Sequence, residues 1–122
     1  RSVPMLTEAE AQAYAAPFPD ARFKAGVRRF PELVPTRPDM PGTETSLDAA
    51  EFLSRDWLGE AFMAIGMLDP VLGEPVMRAL HRKIRNCSHP LLLEQAGHFV
   101  QEWGEEVAQA ALAHFGLEAP AP

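Results

Sequence analysis

The fold is decided by the stretch Ala61-Phe62-Met63-Ala64-Ile65-Gly66, an unbroken apolar run that Asp69 closely follows. A second apolar run, Leu91-Leu92-Leu93-Glu94, is followed by His98 in the same way. Short runs of this kind are typical of strands that are buried on both faces of a parallel sheet. Helical patterns flank both runs, so residues 46–122 follow the order helix, strand, helix, strand, helix. This order predicts an α/β fold, as a piece of a doubly wound parallel sheet.

The helices are predicted from the residues at their ends. Thr7 with Glu10 forms a capping-box pattern that starts a helix, and this helix should end before Pro17. Further helices are expected over residues 21–30, ended by Pro31; over 47–56, capped by Ser46; over 73–85; and over 104–115, with Gly116 just beyond the end. Because prolines interrupt the chain before residue 46, we expect part of a helical cap at 1–45 and the sheet domain at 46–122.

The length, charge and cysteine content of the chain exclude several classes of protein. A chain of 122 residues with 47% hydrophobic residues is sufficient for one small globular domain. The net charge of -6 argues against a general nucleic-acid binder, and the local basic cluster is expected to be a solvated helix face (Arg78, Arg82, Lys83, Arg85). Cys87 is the single cysteine, which fits a reducing compartment and predicts a cytoplasmic protein. No apolar run approaches the roughly 18 residues of a membrane span, so no membrane partner is expected.

Asp69 and His98 are the candidate catalytic residues. Active sites of open α/β sheets lie at the carboxyl ends of the strands, where both residues are expected. An imidazole can accept a proton near neutral pH, and a carboxylate can orient it and stabilise its charged form. Two plainer interpretations stay open: Asp before Pro70 is typical of a turn, and a loop histidine is often only hydrogen-bonded. The chain offers no good nucleophile, so the pair predicts that it is only part of an enzyme.

Several segments of the chain resemble haloalkane dehalogenases of the α/β-hydrolase superfamily. The segment around the acid is Phe62-Met63-Ala64-Ile65-Gly66-Met67-Leu68-Asp69-Pro70-Val71-Leu72-Gly73, and the histidine segment is Ala96-Gly97-His98-Phe99-Val100-Gln101-Glu102-Trp103-Gly104-Glu105. Residues 16–20 and 25–31 are similar to the end of the cap in the subfamily of the dichloroethane-degrading enzyme. The resemblance covers nearly the whole chain. It implies the C-terminal part of an α/β-hydrolase fold, with the last two parallel strands and the end of a helical cap.

The resemblance also implies a two-step reaction without a cofactor or metal. An Asp upstream of this chain would displace halide from a haloalkane and form an alkyl–enzyme ester, which water would then hydrolyse. His98 would be the base that activates the water, and Asp69 the acid that orients His98. The positions matching the family's substrate pocket are Phe30, Pro31, Val34, Val71 and Leu72. The expected partners are a small haloalkane, water, halide and the missing N-terminal portion of the same enzyme, which we expect to be a monomer when intact.

Other functions stay open at this point. An epoxide hydrolase shares the fold but needs tyrosines in its cap, and Tyr14 is the only tyrosine here. An esterase of the same fold would carry Ser instead of Asp as its upstream nucleophile. A non-enzymatic helical interaction module or an inactive fragment would leave the Asp69 and His98 pair incidental. Without a nucleophile, this segment alone is expected to be inactive in every enzymatic interpretation.

Overall fold

The computed structural model describes residues 6–117, which form two compact units. The first unit is Leu6–Glu51, and the second comprises the described residues from Phe52 onward. Among the described residues, no helix combines the length and hydropathy that crossing a bilayer requires.

The first unit begins with helix α1, Glu8–Ala15. The predicted capping box is present, because Thr7 Oγ1 accepts from the Glu10 N–H at 3.3 Å. The Glu10 carboxylate in turn accepts from the Thr7 N–H at 2.7 Å. Two N–H groups that the helix itself cannot pair are thereby satisfied, and the predicted start of the helix is confirmed.

The prediction of one continuous helix over 21–30 is wrong. The segment consists of a 3₁₀ helix at Ala21–Lys24, helix α2 at Ala25–Arg29 and a second 3₁₀ helix at Phe30–Leu33. The Asp20 carboxylate accepts from the Arg22 N–H at 2.8 Å, which favours a tight first turn. Pro31 lies in the first turn of the second 3₁₀ helix, where its missing N–H costs no hydrogen bond, so it does not end the helical segment.

Helix α3, Thr43–Arg55, begins earlier than predicted. Ser46 is therefore an interior residue rather than a cap, and its N–H donates to the Gly42 carbonyl at 3.0 Å. The chain is already turning at residue 43, because the Thr43 N–H donates to the Met40 carbonyl at 3.2 Å and its hydroxyl donates to the Arg37 carbonyl at 3.0 Å. These contacts of Thr43 with Met40 and Arg37 are not part of the capping pattern that predicted a start at Ser46.

The second unit contains strands β1, Ala64–Gly66, and β2, Leu91–Leu93, paired in parallel with Ile65 opposite Leu92. The predicted parallel pairing is confirmed, but the strands are shorter than the predicted 61–66 and 90–94. Pro90 precedes β2 and has no N–H to extend the ladder, which limits the pairing at that end. Buried apolar residues lie in the paired strands and next to them: Met63, Ile65, Leu93 and Ala96.

Helix α4, Glu74–His81, connects the two strands and ends before the predicted residue 85. The N–H of Arg85 donates to the Leu53 carbonyl at 2.9 Å and its guanidinium donates to the Arg55 carbonyl at 2.6 Å. Arg85 thus satisfies carbonyls at the end of α3 instead of continuing its own helix. Asn86 follows with a φ of 58°, in the left-handed region that ends a helical segment.

Helix α5, Gly104–His114, follows a 3₁₀ helix at Val100–Trp103 and agrees closely with the prediction. Gly116 has a φ of 63°, and its N–H donates to the Ala113 carbonyl at 3.2 Å. The Leu117 N–H donates to the Leu112 carbonyl at 2.9 Å. This pair of bonds is a Schellman motif, so the predicted role of Gly116 at the end of the helix is confirmed.

Candidate active site

Asp69 and His98 lie in contact beyond the ends of the two strands. The Nδ1 atom of His98 is 3.0 Å from Oδ2 and 3.1 Å from Oδ1 of Asp69. The Asp69 side chain is 9% exposed and that of His98 is 42% exposed. An ionised carboxylate can only accept hydrogen bonds, so Nδ1 carries the proton in this contact. In a neutral ring the Nε2 atom then holds the lone pair and can accept a proton.

The Asp69 carboxylate is also held by the backbone of its own turn. Its Oδ1 atom accepts from the Val71 N–H at 2.7 Å and from the Leu72 N–H at 3.0 Å. Pro70 has no N–H and sets the tight turn between them. The two interpretations of Asp69, as a turn residue and as a partner of the imidazole, therefore hold for the same side chain.

The sequence did not predict the main-chain N–H groups of Val71 and Leu72 as partners of Asp69. It predicted only apolar pocket roles for the side chains of these two residues. The Asp-Pro pair was the signal that could have identified them, because Asp at the start of a turn commonly accepts from the N–H groups that follow it.

These contacts keep the Asp69 carboxyl ionised. Burial alone would raise the pKa of Asp69, but the Val71 and Leu72 N–H groups and the His98 ring together lower that pKa below its ordinary value. Hydrogen bonds and a neighbouring positive charge both favour the charged form of a carboxyl group. Asp69 is therefore an anion at neutral pH and can stabilise a protonated imidazole.

Backbone hydrogen bonds hold the two loops that carry the pair. The Met67 N–H donates to the Leu93 carbonyl at 3.0 Å, and the Leu68 N–H donates to the Ala96 carbonyl at 2.9 Å. Ala96 is fully buried, two residues before His98. The parallel pairing of the strands therefore continues into both loops and brings Asp69 and His98 together.

The five predicted pocket residues occupy two separate places. Val71 and Leu72 lie in the Asp69 turn, and these residues are 61% and 48% exposed. Phe30 and Pro31 begin the second 3₁₀ helix of the first unit, and Val34 directly follows it. All three are exposed. Their role as pocket residues stays a prediction.

The other histidines contact groups unrelated to this pair. The Nε2 atom of His81 lies 2.8 Å from the Ser88 carbonyl, and His114 lies against the rings of Phe62 and Phe115. Over residues 6–117, no three His, Cys, Asp or Glu side chains come together as potential metal ligands. Within the basic cluster, Arg78 pairs with Glu74 at 2.6 Å along α4. That contact is typical of a solvated helix face.

Comparison with known proteins finds that this chain is similar to haloalkane dehalogenases. Haloalkane dehalogenase 1 of Mycobacterium tuberculosis is 41% identical over 101 residues, which are 81% of this chain and 33% of the relative. The haloalkane dehalogenase of Psychrobacter cryohalolentis is 37% identical over 111 residues, covering 88% of this chain and 36% of the relative. This chain is homologous to the haloalkane dehalogenases. No family model matches it.

Solved structures of haloalkane dehalogenases share its fold. DpaA of Paraglaciecola agarilytica, described as tetrameric, superposes with a TM-score of 0.87 at 50% identity, covering 93% of this chain and 38% of DpaA. DatA of Agrobacterium tumefaciens superposes with a TM-score of 0.64 at 20% identity, which supports the fold alone. The chain has the fold of the C-terminal part of an α/β-hydrolase, as the sequence predicted. It spans about a third of the length of the curated relatives that it matches.

Proposed function

We propose that this chain forms the C-terminal part of an enzyme that hydrolyses haloalkanes to alcohol and halide. The observation that carries the proposal is the contact of 3.0 Å between His98 Nδ1 and the Asp69 carboxylate. Homology to haloalkane dehalogenases supports the choice of reaction. In this proposal residues 1–45 complete a helical cap, residues 46–122 complete the α/β-hydrolase domain, and the N-terminal portion supplies the nucleophile.

The reaction has two steps. In the first, the carboxylate of an upstream Asp attacks the halogen-bearing carbon, so that a carbon–oxygen bond forms and the carbon–halogen bond breaks with release of halide. In the second, His98 Nε2 removes a proton from water while the water oxygen attacks the carbonyl carbon of the alkyl–enzyme ester. The bond between the carbonyl carbon and the alkoxide oxygen then breaks, the alkoxide oxygen takes the proton from His98 and leaves as the alcohol, and the remaining carboxyl group ionises to restore the upstream carboxylate. Asp69 acts by orienting His98 and by stabilising the imidazolium that forms.

The proposed substrate pocket is apolar. Val71 and Leu72 of the Asp69 turn are proposed to line it, and Phe30, Pro31 and Val34 of the first unit stay pocket residues by the resemblance alone. Exposed apolar side chains next to a catalytic acid suit a small haloalkane, which offers no group for hydrogen bonding. The chemistry of this chain's own residues needs neither a metal nor a cofactor.

The two steps should differ in their dependence on pH. His98 can act as a base only as a neutral ring, so hydrolysis of the ester should fail in acid. The first step needs no proton from His98, and its halide release should persist to lower pH. Rapid-quench measurements of halide and alcohol across the pH range would separate the two.

The decisive experiment replaces His98 in the full polypeptide that contains this chain. We expect His98→Ala to release one equivalent of halide and then stop, with the alkyl ester trapped on the enzyme and detectable by mass spectrometry. His89→Ala, at an exposed histidine before β2, is the matched control and should turn over like the parent. Repeated turnover by the His98→Ala enzyme at the parent rate would contradict the assignment.

The same preparation distinguishes the related activities. Diol from an epoxide with no halide release from haloalkanes would support an epoxide hydrolase. Carboxylate from an ester, with Gly-x-Ser-x-Gly in the upstream segment, would support an esterase. No turnover of any of these by the full polypeptide would support an inactive fragment or an interaction module.

Compartment and assembly belong to the same proposal. We propose a cytoplasmic enzyme, because the half-buried thiol of Cys87, whose pKa burial raises, suits a reducing compartment. The sequence predicted a monomer, whereas DpaA is described as tetrameric. Light scattering of the full polypeptide would distinguish these two states.

A further inference from the structure

We propose that Gly66 and Gly73 are positioning residues for the hydrolytic step, because the absence of a side chain at each position lets the Asp69 and His98 loops pack together. The proposal rests on the proposed function for its kinetic consequences only. Its structural content concerns the placement of the two backbones.

Gly66 is the last residue of β1 and lies against the loop that carries His98. A Cβ atom at residue 66 would stand 2.6 Å from the Gly97 carbonyl oxygen and 2.9 Å from that of Ala96. Both atoms belong to backbone rather than to a flexible side chain, so the whole loop would have to move. Reaching ordinary van der Waals contact at 3.4 Å requires a retreat of about 0.8 Å.

The Ala96 carbonyl oxygen has a second contact that such a retreat would break. It accepts the hydrogen bond from the Leu68 N–H at 2.9 Å, one residue before Asp69. One oxygen atom therefore joins the two loops and also occupies the space that a side chain at residue 66 would need. Because His98 follows Ala96 by two residues, a displaced Ala96 displaces the imidazole from the Asp69 carboxylate.

Gly73 has the same role for the loop that carries Asp69. It precedes α4 and has an extended backbone conformation that any residue can adopt. A Cβ atom at residue 73 would instead clash with the Asp69 carbonyl oxygen. The start of α4 can therefore approach the turn only if residue 73 has no side chain, and this approach sets the position of the Asp69 main chain.

The test replaces each glycine by alanine in the full polypeptide and includes a matched control. Gly104→Ala is the control, because a Cβ atom at Gly104 meets nothing within 4 Å. We expect Gly66→Ala and Gly73→Ala to release one equivalent of halide at the parent rate. Hydrolysis of the ester should slow about 10²-fold, the order of loss that a misplacement near 1 Å causes in a catalytic group. Gly104→Ala should behave as the parent.

A spectroscopic measurement separates this proposal from the proposed function. The imidazole ¹⁵N spectrum of His98 reports the proton on Nδ1 and its hydrogen bond, and it requires no turnover. We expect that signature in the parent and in Gly104→Ala and its loss in both other variants. If the parent releases no halide, the proposed function fails while the ¹⁵N signature still decides the role of the glycines. A folded Gly66→Ala or Gly73→Ala enzyme with parental hydrolysis and a parental ¹⁵N signature overturns the proposal for that residue.

A measurement on the parent covers the case in which the variants do not fold. The Leu68 amide should exchange slowly with solvent, because its bond to Ala96 opens only when the two loops separate. Rapid exchange of the Leu68 amide in the folded parent would overturn the proposal for Gly66 without any substitution. Rapid exchange of the Asp69 amide, which donates to the Gly66 carbonyl at 3.2 Å, would show that the Asp69 main chain is not held in place and would overturn it for Gly73.

Discussion

Replacing Asp69 by Asn tests the charge of the carboxylate while keeping its shape. The Asn oxygen can retain the bonds from the Val71 and Leu72 N–H groups, at 2.7 Å and 3.0 Å in the parent. The amide NH₂ then takes the place of Oδ2 and faces His98 Nδ1, which lies 3.0 Å from that atom. Rotating the amide would direct its NH₂ at two N–H donors, so the structure disfavours the alternative orientation.

The expected effect follows from the distance between the two charges. Two unit charges 3.0 Å apart attract by about 1.4 kcal/mol in bulk water and by about 5.5 kcal/mol at an effective dielectric constant of 20. Lost transition-state stabilisation of that size slows a step by about 10-fold to about 10⁴-fold. The His98 side chain is 42% exposed, so this charge effect lies in the lower half of the range. The NH₂ of Asn also faces Nδ1 and leaves the ring proton on Nε2, the atom that must accept a proton, so we expect hydrolysis of the alkyl–enzyme ester to slow by about 10⁴-fold in all.

The assay follows both steps in one rapid-quench experiment on the full polypeptide. Halide appearing as a burst reports the first step, and alcohol appearing afterwards reports hydrolysis. Asp69→Asn should keep the burst and slow the alcohol, with the ester accumulating in mass spectra. Asp48→Asn, which removes one exposed carboxylate from α3, is the matched control.

A folded Asp69→Asn enzyme that releases alcohol within twofold of the parent rate would exclude a role for the Asp69 charge in hydrolysis. Loss of the halide burst would be equally informative, because it would place Asp69 in the first step rather than the second.

Two further predictions concern stability. The pKa of Asp69 is lower in the folded chain than its ordinary value of about 3.9. Its contribution to the free energy of unfolding is therefore complete above that value and is lost as the pH falls through the lowered pKa. The free energies of unfolding of parent and Asp69→Asn, measured with urea, should converge in acid, and a difference that persists at the lowest pH would contradict this. Arg85→Ala should lower the free energy of unfolding by about 1 kcal/mol, because it removes the hydrogen bond to the Arg55 carbonyl at the end of α3. Arg82→Ala, at an exposed arginine, should change the free energy of unfolding little. Equal effects of the two substitutions would show that the bond to the Arg55 carbonyl contributes nothing.

The sequence predicted the features that depend on neighbouring residues. The capping box at Thr7 and the Schellman motif at Gly116 each involve a few consecutive residues and were both correct. The parallel pairing of the two apolar runs was also predicted, because such runs need burial on both faces. The expected juxtaposition of Asp69 and His98 followed from that pairing.

The errors arose where the structure depends on contacts that the capping and periodicity patterns do not describe. Ser46 is a good capping residue by type, but contacts of Thr43 with earlier residues begin α3 sooner. The helix predicted to reach Arg85 ends early because Arg85 bonds to α3, some thirty residues away in the chain. The clearance that Gly66 gives to the His98 loop is likewise set by the pairing of the strands, so no local pattern announces it.

The Asp69 turn makes the acid independent of the side chains that follow it. Val71 and Leu72 hold the carboxylate through main-chain N–H groups alone, and nearly any amino acid supplies the same two donors. Their exposed side chains can therefore diverge between relatives, or be randomised in a library, while the carboxylate keeps its orientation. Proline is the exception, because it would remove a donor at either position. Selection for new substrates can thus act at residues 71 and 72 without first having to rebuild the acid.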